Sequence, residues 1–201
     1  NFALDKLSAL EAANRRRTLA DTAREDGVCV LRGGRRLISF SCNDYLNLTH
    51  HPKVKAAAIA AVEKYGTGAG ASRLITGNHP LLTELEERLA SLKGADAACV
   101  FGSGYLANAG IIPALTGEED MLLLDELSHS CLWTGAQLSH GKVFTFRHND
   151  VEHARELLAR HRAQHTHALI VTDGVFSMDG DLAPLHDLSA LASAHDAWLM
   201  S

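Results

Sequence analysis

No stretch of this 201-residue sequence is apolar for long enough to cross a bilayer, since a spanning helix needs about 20 consecutive apolar residues. No signal-peptide pattern opens it, so a cytoplasmic location is expected. Cysteine is sparse: Cys29, Cys42, Cys99 and Cys131 stand apart without a C-x-x-C pair. That argues for buried free thiols in a reducing compartment rather than for disulfides or zinc. Twelve histidines are present without H-E-x-x-H or a similar ligand spacing, so no metal is expected. Basic runs are lacking apart from Arg15-Arg16-Arg17, and a net charge of −5 speaks against a nucleic-acid partner. Repeats, low-complexity tracts and linkers are absent as well. What remains is ordinary globular composition, 46% hydrophobic and 21% charged, in a chain long enough to bury a core.

Residues 1–50 read as a helix-and-hairpin segment. Leu7, Leu10 and Leu19 form one stripe, which predicts a helix over 2–25 stopped by Gly27. Apolar runs at 28–31 and 36–40 flank Gly33-Gly34, a hairpin signal. Residues 51–201 read as the first part of a larger domain. Pro52 suits the first position of a helix running to Tyr65, and Pro80–Lys93 is amphipathic, with Leu82, Leu85, Leu89 and Leu92 on one face and Gly94 to end it.

From there strands and helices alternate. Apolar runs at 97–101, 121–124, 143–146, 168–172 and 198–200 are separated by helical patterns near 105–115, 129–139, 151–162 and 184–195. The expected fold class is α/β, a mostly parallel sheet with helices on both faces. In such a sheet ligands sit beyond the carboxyl ends of the strands. Gly102-Ser103-Gly104-Tyr105 falls at one such end, where a Gly/Ser turn opening a helix makes an anion cradle of backbone N–H groups. Ser128-His129-Ser130 falls at another. Either a serine caps the next helix while His129 faces water, or His129 faces a ligand. His148-Asn149-Asp150 reads as structural, with Asn149 or Asp150 as a helix cap. The segment 173–181 is either a plain surface turn or one that aims a buried Ser177 hydroxyl at a ligand.

Taken in order, Cys42-Asn43-Asp44-Tyr45-Leu46, Ser72-Arg73-Leu74-Ile75-Thr76-Gly77, Gly102-Ser103-Gly104-Tyr105, Ser128-His129, Arg147-His148-Asn149-Asp150 and 174–181 resemble the α-oxoamine synthases. These are enzymes that use pyridoxal 5′-phosphate to condense an amino acid with an acyl thioester, losing carbon dioxide. The resemblance implies the large domain of an aspartate-aminotransferase-like, PLP-dependent transferase, acting as a homodimer. It also implies roles. Gly104 and Tyr105 match the phosphate cup, His129 the imidazole that stacks on the cofactor and serves catalysis, and Ser177 a hydroxyl near the phenolic oxygen. Arg17 matches an arginine that pairs with the acyl group's carboxylate, and Asn43 and Ser72 match positions near the substrate. The loop Ser72–His79 looks most like that of the branch joining L-alanine to a pimeloyl thioester, carried by coenzyme A or an acyl-carrier protein, in biotin synthesis. Other α-oxoamine synthases, a fold-related aminotransferase and a truncated inactive product are the alternatives. The family's Asp-Asp-Ala-His-Gly and Ser-x-x-Lys segments are not in this sequence, so the chain is expected to be the first half or so of such an enzyme and inactive by itself.

Overall fold

In the computed structural model, which describes residues 1–25 and 27–201, the chain forms two compact units, Asn1–Gly77 and Asn78–Ser201. The expected division fell instead after residue 50. No helix among the described residues is long and apolar enough to cross a membrane.

The first unit holds helix α1 (Phe2–Ala12), strands β1 (Thr22–Arg24), β2 (Cys29–Arg32) and β3 (Arg35–Ile38), and helix α2 (Pro52–Tyr65). A π-helical turn, Arg73–Gly77, ends the unit. The single helix expected over 2–25 is two elements. Asn14 adopts φ 53°, and the Arg15 N–H donates to the Leu10 carbonyl at 2.8 Å. This closes α1 with a left-handed cap of the kind glycine usually supplies. The hairpin forms as expected: β2 and β3 pair antiparallel around Gly33 and Gly34, both at positive φ, and β1 adds on the other side of β2.

The second unit opens with α3 (Pro80–Lys93), bounded by Pro80 and by Gly94 in the left-handed region. Then α4 (Gly104–Leu115), β4 (Met121–Asp125), α5 (Ser130–Leu138), β5 (Lys142–Phe146), α6 (Val151–His161), β6 (Ala168–Val171), α7 (Leu185–Ala194) and β7 (Trp198–Met200) follow. All four strands are parallel, in the order β5-β4-β6-β7. Alternate residues of the buried strands feed two cores. Met121, Leu123 and Ile170 pack with Leu158, Leu188 and Leu191 of α6 and α7. Leu122, Leu124, Leu169 and Val171 pack with Ile112, Leu132 and Ala136 of α4 and α5. The sheet is therefore covered by helices on both faces, as the alternation predicts.

One expected strand is not formed. Residues 97–101 take no place in the sheet. An extended run becomes a strand only where a neighbour completes its ladder, and here the Val100 N–H donates to the Glu86 carboxylate at 2.7 Å instead.

Candidate active site

The carboxyl edge of the parallel sheet gathers the second unit's candidate residues. Contacts between α4 and α5 step forward in register: the Asn108 amide meets the Cys131 sulfur at 3.2 Å, and Thr116 meets Ser139 at 2.7 Å. The two helices thus run parallel. Since α5 begins five residues after β4 ends, both helix N-termini lie at the strands' carboxyl ends.

At the first, Ser103 caps α4, its hydroxyl accepting from the Leu106 N–H at 3.2 Å. The N–H groups of Gly104 and Tyr105 have no acceptor among the described residues. A Cβ placed at Gly102 or Gly104 would meet nothing within 4 Å. Two free N–H groups at the positive end of a helix, beside open space, fit a phosphate. The Tyr105 ring lies half-exposed, its hydroxyl 2.9 Å from Thr134 of α5.

At the second, the cap of α5 is neither serine. His129 itself is the N-cap: its Nδ1 accepts from the Cys131 N–H at 3.2 Å and lies 2.8 Å from the Cys131 sulfur. An accepting Nδ1 puts the proton of the neutral ring on Nε2. The ring is exposed, and the His129 N–H donates to Asp173 at 2.7 Å, tying it to the segment after β6. Beside it the buried Ser128 hydroxyl has no partner among the described residues. Residues 173–183 form a short hairpin-like loop, closed by the Val175–Leu182 bridge and by the Phe176 N–H donating to the Asp181 carbonyl at 3.0 Å. Ser177 lies at its exposed tip, so the buried hydroxyl of the sharper expectation is not found within this chain.

What holds that loop is not legible in the sequence. The expected cap is Asp150, which accepts from the His153 N–H at 2.9 Å. His148 and Asn149 do something else. The His148 Nδ1 lies 3.0 Å from Asp125, the fully buried last residue of β4, and its Nε2 lies 2.7 Å from Asp181 in the loop. Burial pulls this ring toward its neutral form, but the hydrogen bonds and charges of the two carboxylates outweigh that and raise its pKa above the ordinary 6.5.

Arg17, Asn43 and Ser72 belong to the first unit, and all three are exposed. Arg17 lines a shallow surface hollow with Leu10, Asn14, Arg15 and Arg16. Asn43 sits between two residues anchored on Arg24. The guanidinium hydrogen-bonds Cys42, holding that thiol below its usual range, and lies 3.3 Å from Asp44. Asp44 in turn caps the next turn through the Leu48 N–H at 2.8 Å. Ser72 lends its carbonyl to the Gly77 N–H at 2.9 Å, and a Cβ on Gly77 would overlap the Ala71 carbonyl. All four cysteines are free, but Cys131 alone is buried; Cys99 is exposed and the other two are half-buried. No cluster of three or more metal-ligating side chains exists among the described residues.

A doubly covered parallel sheet with a phosphate-fitting helix start at its carboxyl edge defines an α/β domain of the phosphate-binding class. The chain belongs to the aminotransferase class I and II family, whose model matches residues 35–201. Within that family its likeness to the α-oxoamine synthases is plain. It is 73% identical to an 8-amino-7-oxononanoate synthase of Methylocella silvestris over 86% of this chain and 49% of that one. It is 62% identical to another from Beijerinckia indica subsp. indica, over 100% and 52%. A serine palmitoyltransferase from S. paucimobilis solved with PLP and myriocin superposes with a TM-score of 0.89 at 31% identity, covering 99% of this chain and 50% of that one. The chain thus spans about half the length of the relatives it matches. The cofactor these relations indicate is pyridoxal 5′-phosphate.

Proposed function

We propose that the complete protein is an 8-amino-7-oxononanoate synthase, condensing L-alanine with a pimeloyl thioester and releasing carbon dioxide, as a homodimer. The observation that carries this reading is the pair of unpartnered N–H groups on Gly104 and Tyr105, one helix away from the His129 cap, in a chain 73% identical to such a synthase. Bound there, pyridoxal 5′-phosphate supplies an aldehyde for the amino acid's amine and a ring that draws electrons from its α-carbon. The Gly104 and Tyr105 N–H groups hold the phosphate. His129 offers a ring face for stacking, and its Nε2–H is free to hydrogen-bond the alanine carboxylate and orient it. Ser177 places a hydroxyl near the cofactor's phenolic oxygen. Asn43 and Ser72 line the substrate, and Arg17 pairs with the distal carboxylate of the pimeloyl group, a task that suits a planar guanidinium. The lysine that would bind the aldehyde is none of Lys6, Lys53, Lys55, Lys64, Lys93 and Lys142. Five of these lie on helices α1 to α3, and Lys142 starts β5 at the opposite edge of the sheet.

The solved neighbours favour a second reading, the condensation of serine with a palmitoyl thioester. The two separate in one experiment. The complete polypeptide, loaded with the cofactor, is supplied with alanine and pimeloyl thioester or with serine and palmitoyl thioester, and product is followed by mass. Turnover of the first pair alone is expected. Arg17→Ala should raise the KM for the pimeloyl donor by about ten- to hundredfold, the worth of one charge-assisted hydrogen bond, and spare alanine binding. An equal rise with an uncharged donor of the same length would remove Arg17 from this role.

A further inference from the structure

The His148 ring has a partner at each nitrogen, and both partners are carboxylates. A carboxylate only accepts, so this arrangement needs an N–H on both nitrogens, which is the imidazolium. Around it both carboxylates act as acceptors throughout, while the Asn149 amide also lies 3.2 Å from Nε2. Asp125, with no exposed surface, also receives the Leu127 N–H at 2.9 Å and the Asn149 N–H at 2.8 Å. The Glu126 carboxylate receives the His148 N–H at 3.0 Å. The Asn149 side-chain amide donates to Asp181 at 2.8 Å and to the Leu182 carbonyl at 3.3 Å. Asn149 reaches these through a left-handed backbone, φ 56°. The Phe176 ring, immediately before Ser177, stands edge-on to His148 at 4.4 Å between centroids. The adjacent cation, Arg147, is taken up by Asp150 at 2.8 Å.

We propose that His148 is a positioning residue, a strap from Asp125 at the end of β4 to Asp181 that holds the Ser177 turn against the carboxyl edge of the sheet. Its value to catalysis rests on the reading that this turn faces the cofactor; the strap itself does not. The strap is set by charge. When Nε2 loses its proton, a lone pair faces the Asp181 oxygen at 2.7 Å, and the contact turns repulsive. The Asn149 amide, 3.2 Å from Nε2, can then donate to the ring in place of Asp181. Because the folded pKa is raised, the strap is intact below the ordinary histidine value and lost as pH rises through the raised one.

The test is backbone hydrogen exchange of residues 174–182 in the complete polypeptide, with and without pyridoxal 5′-phosphate, at about pH 6 and pH 9. These values bracket an imidazole titration raised from its ordinary position. Rates are corrected for intrinsic pH dependence, and β4 serves as the internal reference. In the parent, 174–182 should lose protection at the higher pH while β4 does not. In His148→Gln the segment should exchange about ten- to hundredfold faster at the lower pH, the worth of charge-assisted hydrogen bonds, and show no further pH step. Asp181→Asn should move the parent's step to lower pH. A parent-like profile in His148→Gln overturns the proposal. Should that variant also loosen β4, Asp181→Asn decides, and an unmoved step there overturns it equally. Cofactor titration then separates the two ideas. Faster exchange with weakened cofactor affinity supports both, whereas faster exchange with parent-like affinity supports the strap and removes Ser177 from the cofactor site.

Discussion

The imidazole of His129 spends Nδ1 on capping α5, and the proposed function gives its Nε2–H to a ligand. The two duties can be separated by substitution. Asparagine is a strong N-cap, whereas alanine at such a position costs about 1 kcal/mol. His129→Asn should therefore melt like the parent, and His129→Ala should melt earlier. Both should weaken alanine binding and slow turnover, by about 10²–10⁴ for lost positioning or proton transfer. The change in cofactor absorbance on adding alanine, read with single-turnover product formation, checks this. Parent-like behaviour in both variants would leave His129 as a helix cap only. At this scale the sequence is legible where a residue acts on its near neighbours. Asp150, one of the two caps expected for α6, is found because its partner lies three positions on. His148 is not, because Asp125 and Asp181 stand 23 and 33 positions away, and no local pattern encodes which chain ends a sheet brings together.

Elements were legible where punctuation and periodicity agree. Pro52, Pro80 and Gly94 bound their helices in the structure as they do in the sequence. Residues 97–101 show the limit, since strand character depends on a neighbour as much as on composition. The amphipathic face of α3 is another case: Leu82 and Leu89 are half-buried but Leu85 is 42% and Leu92 78% exposed, so the stripe is real but only partly covered among the described residues. What the pattern could not disclose is how closely α4 and α5 approach. A Cβ on Gly135 would lie 2.5 Å from the Asn108 carbonyl oxygen and 2.8 Å from Ile112. Gly135→Ala should therefore destabilise the protein, overpacking of about 1–3 kcal/mol outweighing the better helix propensity. Gly110→Ala in α4 is the control, because its Cβ would meet only the Phe101 ring at an ordinary 3.7 Å. That change should stabilise by about 0.5–1 kcal/mol, as alanine does in a helix interior. Thermal unfolding of the two variants should thus shift in opposite directions, and a Gly135→Ala protein as stable as the parent would mean the helices separate without cost.

At the scale of the molecule the two units differ in how much they bury. The sheet unit has fully buried side chains on both faces, among them Leu122, Leu123, Ile170 and Val171. Among the described residues of the first unit Val30 is the buried apolar side chain, while α1 and α2 bury none of their residues. Their stripes are nevertheless apolar: Leu7, Leu10, Val54, Ile59 and Val62 are all at least 41% exposed. A helix of 11 or 14 residues gains most of its stability from packing such a stripe, and lengths below about 12–15 residues are marginal without it. Hydrogen exchange on the chain 1–201 should therefore separate the two units. Amides of β4 and β6 should exchange slowest, near the global unfolding limit. Those of α1 and α2 should exchange through local opening, with α2 the slower because alanine fills its interior. In a polypeptide of the relatives' full length, of which this chain spans about half, these two helices should gain protection while the central strands change little. Helices as protected as the strands in the chain 1–201 would show that the first unit holds itself together without that packing.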